Sequence, residues 1–113
     1  AVRLASKAVA LHPNDFRLLD TYGFALFLQR DYLQAEIYLR RAIERAEAAQ
    51  KEDPSSVSTA SLAEYYYHYA KVQEEVGNLQ TSLLFLQKVK QLISTDEIDL
   101  AIEEIKRRME SSK

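Results

Sequence analysis

The residues able to do chemistry are few and badly spaced for it. His12 and His68 are the only histidines and lie far apart in sequence. Neither belongs to an H-E-x-x-H pattern or has a second ligand four residues on, so the sequence offers no helical zinc pair. His12, beside Pro13, reads as a loop residue, and His68 as a partly buried helix residue. Carboxylates sit side by side at Glu74-Glu75 and Glu103-Glu104. Neighbours on a helix point about 100° apart and make no acid/base pair by themselves, so these read as solvated charge. There is no cysteine, which removes disulfides, thiolate metal sites and cysteine nucleophiles. No Gly-rich loop is present to cradle a phosphate, and no G-x-S-x-G elbow to hold a serine nucleophile. Metal and cofactor are expected to be none, and the chain is not expected to be an enzyme.

The densest feature is "AEYYYHYAK", residues 63–71, with four tyrosines and one histidine in five positions. A base-stacking platform would need lysines and arginines around it, but Glu64, Glu74 and Glu75 are there instead. The formal net charge of −2 likewise lacks the basic footprint of a nucleic-acid binder. Nucleic acid is therefore not an expected partner. A membrane is not one either, since no apolar run approaches the roughly 20 residues needed to span a bilayer.

The elements that carry these residues are helical. The 113 residues are 47% hydrophobic and 28% charged, with two glycines and two prolines, a mix that reads as folded, soluble and helix-rich. Apolar residues recur at helical spacing almost throughout. Breakers at 12–15, 30–31, 53–56, 77–78 and 94–96 divide the chain into six helices. Pro13 disfavours helical geometry at His12 and closes the first. Asn14 or Asp15 can cap the second. Ser61 and Glu64 have the spacing of a capping box, although the fourth helix could also begin nearer Ser58. Gly77 suits a left-handed helix end, and Asn78 can cap the fifth helix. The last helix starts at Ser94, Thr95 or Asp96 and puts Ile98, Ala101, Ile102, Ile105 and Met109 on one face.

A repeat underlies this pattern. Ala1 and Ala8 recur 34 residues later as Ala35 and Ala42. Gly23, Ala35 and Ala42 recur as Ala70, Ser82 and Val89, displaced by 47 residues. This spacing resembles the tetratricopeptide repeat, whose 34-residue unit is a pair of antiparallel helices. Leu19, Tyr22, Gly23 and Leu26 stand at the first-helix positions, and Ala35, Leu39 and Ala42 at those of the second. Tyr66, Tyr69 and Ala70, then Ser82, Leu86 and Val89, repeat the pattern. Gln73 departs from it where an aromatic is usual, and no proline ends the Ala35 helix on schedule.

The resemblance implies an all-α fold, an α-solenoid of antiparallel helical hairpins in a right-handed superhelix with a C-terminal capping helix. The whole chain, 1–113, reads as one domain. Residues 1–13 are the second helix of a partial repeat, 15–51 a full repeat with an extended second helix, 52–60 an inserted loop, 61–93 a full repeat, and 95–111 the cap. The structural core is expected at Ala8, Leu19, Tyr22, Gly23, Ala35, Leu39, Ala42, Tyr66, Tyr69, Ala70, Ser82 and Leu86. The concave ligand groove is expected at Arg17, Asp20, Phe24, Phe27, Leu28, Glu64, Tyr67, Lys71 and Glu74. Asp20 and Phe24 stand where the family's carboxylate clamp would need Lys and Asn, which argues against a chaperone-tail ligand.

The function expected on this reading is a non-catalytic scaffold that binds another protein or peptide. A structural, spacer or regulatory module is the alternative. The opening helix lacks a hairpin partner and could make a homodimer. The chain opens inside a helical pattern without an initiator Met, as a segment of a longer protein would, so its compartment stays open.

Overall fold

The computed structural model describes residues 2–111. Ala1, which opens the 34-residue pairing with Ala35, lies outside them. Six α-helices occur in order: α1 (Val2–Leu11), α2 (Phe16–Leu28), α3 (Tyr32–Glu52), α4 (Thr59–Glu75), α5 (Leu79–Leu92) and α6 (Asp96–Ser111). A 3-10 turn, Pro54–Ser56, lies between α3 and α4. No strand occurs among the described residues. The chain has an all-α helical repeat fold made of two compact units, one ending at Ser58 and the other starting at Thr59. The boundary falls inside the stretch read as an inserted loop.

In the first unit α1 packs on α2 and α2 on α3. The Asp15 carboxylate starts α2 by accepting hydrogen bonds from the backbone N–H of Arg17 (3.0 Å) and Leu18 (3.4 Å). Of the two caps open to the sequence reading, Asp15 is the one used. At the far end the chain reverses through Arg30, whose φ is +64°. The Arg30 and Asp31 N–H groups donate back to the Phe27 and Leu26 carbonyls, both at 2.9 Å. This is a Schellman ending with arginine where glycine is usual. Asp31 then accepts from the Gln34 N–H at 3.3 Å and starts α3. That helix runs to Glu52, and the Asp53 carboxylate takes over, accepting from the Ser55 N–H (3.0 Å) and hydroxyl (2.7 Å).

The core of this unit is closed at one crossing. Gly23 of α2 faces Leu39 of α3, and a β-carbon on Gly23 would fall 2.7 Å from Leu39 Cγ. Leu19, Ala35, Leu39 and Ala42 are completely buried. Val9, Leu19 and Ala42 form a cluster with Leu18, Tyr22 and Tyr38 against it. Tyr22 is only half-buried, and so is Ala8. Val9, rather than Ala8, carries α1 into the core. Within the unit α1 meets α2 on its Val9 side, and no helix precedes α1 among the described residues to cover Ala8.

The second unit packs α4 on α5 and α5 on α6. Helix α4 begins at Thr59, so Ser61 lies inside its first turn and the Ser61–Glu64 box does not mark the helix start. Its end is a second Schellman turn: Gly77 has φ +87°, the Gly77 N–H reaches the Glu74 carbonyl (3.1 Å), and the Asn78 N–H reaches that of Gln73 (2.8 Å). Asn78 precedes α5 but its side chain makes no cap bond. Its amide instead donates to the buried Gln73 Oε1 at 2.9 Å. The glutamine that breaks the repeat pattern therefore secures the turn. Ala70, Ser82, Leu86 and Val89 are buried at the α4–α5 crossing, where the Ser82 hydroxyl donates to the Ala70 carbonyl at 2.9 Å. Thr95 Oγ1 accepts from the Ile98 N–H (3.2 Å) to start α6, which buries Ile98, Ile102 and Ile105.

Candidate functional site

The tyrosine run resolves first. Tyr65, Tyr66 and Tyr69 are buried. Phe85 of α5 packs edge-on to Tyr66 (5.8 Å between centroids) and Tyr69 (4.7 Å). The Lys88 ammonium lies 5.3 Å from the Tyr66 ring and 4.9 Å from that of Phe85, near enough for cation–π attraction. Tyr66 and Tyr69 hold the hairpin together through Phe85, and all three buried tyrosines present no face to a ligand. Tyr67 and His68 are half-buried.

The first unit repeats these contacts. Tyr22 and Tyr38 pack edge-on at 4.6 Å and 64°, against 4.7 Å and 64° for Tyr69 and Phe85. Arg41 lies over Tyr38 at 5.3 Å as Lys88 lies over Phe85. Each residue pairs with the one 47 positions on (22 with 69, 38 with 85, 41 with 88). The aromatic clasp and its cation are thus one device used twice, which the spacing of small residues alone does not reveal.

On α2 the expected groove residues occupy different environments. Arg17 is exposed and reaches Asp15 at 3.7 Å. Asp20, expected on an open face, is buried; burying a carboxylate is costly unless it is partnered, and Asp20 is not without a partner. Phe24 and Phe27 are half-buried and stacked, with centroids 5.6 Å apart and planes at 18°. Tyr32 tilts onto Phe27 at the same centroid distance. Leu28 remains 66% exposed beside them. The result is a short aromatic ladder with a leucine at its end.

On α4 the matching positions carry charge. Glu64 is exposed, and Tyr67 and Lys71 are half-buried. Lys71 Nζ lies 6.0 Å from the Tyr67 ring and 3.7 Å from Glu74 Oε1. Glu74 Oε2 accepts from Arg108 Nη1 of α6 at 2.8 Å. Glu74 is therefore already engaged by the last helix. Sequence reasoning missed Arg108. Its signal was weak, an arginine in the last turn of a helix whose apolar stripe defines which side faces the rest of the unit. Where Phe24 and Phe27 stand in the first unit, Lys71 and Glu74 stand in the second.

No protein-family model matches the sequence, and no curated protein matches it. Among solved structures the chain is similar to the N-terminal domain of stress-induced protein-1 (STI-1) from C. elegans, with a TM-score of 0.74. The two are 11% identical, and the likeness covers 90% of this chain and 76% of that one. At that identity it is a likeness of fold.

Proposed function

We propose that the chain is a tetratricopeptide-type scaffold that binds a peptide or partner helix and carries no catalytic activity of its own. The single observation behind this reading is the ladder of Phe24 and Phe27 on α2 and Tyr32 at the start of α3, with the exposed Leu28 next to Phe27 in the chain. Rigid aromatics that reach solvent supply contact area at low entropic cost, as they do at many protein interfaces. The spacing repeat and the duplicated aromatic clasp support the family assignment. On α4, Tyr67 is the position best placed for a polar contact, because Glu74 is held by Arg108 and Lys71 lies against Glu74.

The experiment is affinity capture from a cell lysate with the wild-type chain and with Leu28→Glu/Tyr67→Ala, after circular dichroism shows the variant folded. A partner kept by the wild type and lost by the variant supports binding through these helix faces. An identical partner set from both moves the interaction elsewhere.

A further inference from the structure

We infer that the turn closing the α2–α3 hairpin pairs with the same turn of a second copy of the chain about a two-fold axis. Leu28 ends α2 and Leu33 lies in the first turn of α3, on either side of the connection 29–31. Leu28 is 66% and Leu33 75% exposed, the two most exposed large apolar residues from α2 to α5. Gln29, Arg30 and Asp31 between them are exposed as well. Arg30 has no ionic partner among the described residues. Asp31 uses Oδ1 to accept from the Gln34 N–H at 3.3 Å, which leaves its second carboxylate oxygen for a partner.

The second hairpin serves as an internal control. Glu75, Gly77 and Gln80 stand 47 positions on from Leu28, Arg30 and Leu33, and all three are exposed. Their turn closes through the same two backbone hydrogen bonds: Arg30 to Phe27 and Asp31 to Leu26 in the first hairpin, Gly77 to Glu74 and Asn78 to Gln73 in the second. Closing the turn therefore requires neither the leucines nor the arginine. Arg30 instead holds φ at +64°, a conformation that costs any residue with a β-carbon. Strained backbone of this kind clusters where a side chain is used.

The turn is complementary to itself. Read from either end, Leu28-Gln29-Arg30-Asp31-Tyr32-Leu33 has a leucine outermost and two charges of opposite sign in the middle. A two-fold axis through the turn sets Leu28 against the partner's Leu33 and Arg30 against the partner's Asp31, each of them twice. No like charges meet, and complementary charges fix register and partner. An isologous contact of this kind closes at two copies and adds no third. A turn this short covers less than the roughly 1,200 Å² of a stable complex, so the dimer is weak and concentration-dependent.

The test is sedimentation velocity on the 113-residue chain, from micromolar to near-millimolar. The sedimentation coefficient of the wild type should rise toward that of a dimer and no further. Arg30→Gly/Leu33→Gln gives the first turn two residues of the second, which keeps it able to fold, and should weaken self-association by roughly tenfold or more. Arg30→Glu and Asp31→Lys should each do the same by opposing like charges, and an equimolar mixture of the two should associate again, since each then offers the charge the other needs. If Asp31→Lys proves unfolded for want of its helix cap, Arg30→Gly/Leu33→Gln decides by itself. These variants leave Phe24, Phe27, Leu28 and Tyr67 in place, so their outcome is separate from the capture of another protein. A wild type that stays monomeric at every concentration overturns the inference. So do growth past the dimer, a folded Arg30→Gly/Leu33→Gln variant that associates like the wild type, or a mixture of the folded charge variants that stays monomeric.

Discussion

The hairpins α2–α3 and α4–α5 are the same object closed in two ways. Both hold an edge-on aromatic pair under a cation, and both end their first helix in a Schellman turn. At the crossing they part. The first hairpin uses Gly23 and lets Leu39 approach its bare α-carbon, while Ala35 needs no polar partner. The second has Ala70 where Gly23 stood, and Ser82, in place of Ala35, bonds to the Ala70 carbonyl. A repeat register thus specifies where helices cross; it leaves open whether steric closeness or a hydrogen bond does the closing. The turns differ in the same manner. Gly77 takes the left-handed conformation without a clash, whereas Arg30 holds it against its own β-carbon.

The largest test of this comparison lies at the first crossing. Leu39→Ala should cost about 2–5 kcal/mol through lost burial and a cavity, measured by urea unfolding. Gly23→Ala alone should cost about 1–3 kcal/mol by overpacking against Leu39. Combined with Leu39→Ala it should cost much less, because two of the three close neighbours of the new β-carbon are then gone. Additive costs would mean that the approach of Leu39 does not set the crossing. In the second hairpin, Ser82→Ala should cost about 0.5–1.5 kcal/mol, since a carbonyl has a second lone pair and Ala70 can keep a helical bond without the hydroxyl. A cost as large as that of Leu39→Ala would place the hydroxyl bond at the centre of the hairpin's stability.

The turns supply a smaller test of opposite sign. Arg30→Gly should stabilise by about 0.5–1 kcal/mol and Gly77→Ala should destabilise by about 1 kcal/mol, read as shifts in thermal midpoint. The smallest effect is one of pH. Hydrogen bonds from the Ser55 hydroxyl and N–H hold the Asp53 carboxyl below the ordinary aspartate range. A carboxyl whose folded pKa is depressed contributes stability that is full above its unfolded pKa and is lost as pH falls through the lower folded value. Asp53 is exposed, so the contribution is small. Asp53→Asn should shrink that acid-side slope in a pH series of thermal melts and leave the neutral side nearly unchanged.

Local chemistry was legible because it acts over a few residues. Helical periodicity, the narrow choice of caps at Asn14 or Asp15 and at Ser94, Thr95 or Asp96, and the glycine ending at Gly77 all stem from a side chain and its own backbone within one turn. The 47-residue register also showed in the small residues, since close crossings admit few residue types. Sequence reasoning goes astray where one polar group has several partners in reach. Asn78 stands at a cap position and instead serves Gln73, and Asp20 stands on a face expected to be open and is buried. Glu74 stands among the expected groove residues and is bound by Arg108, thirty-four positions away.

The sequence by itself determined an all-α chain of six helices, roughly where the chain breaks between them, and most of the small residues at the crossings within α2–α3 and α4–α5. It did so because backbone capping, steric restriction and apolar period are properties of a few neighbouring residues. Only the tertiary structure decided that Tyr66 and Tyr69 clasp Phe85, that Glu74 belongs to Arg108, and that Leu4, Leu11, Leu28 and Leu100 stay outside. Those outcomes depend on which helix comes to lie against which face, and that is settled by packing among residues distant in the chain.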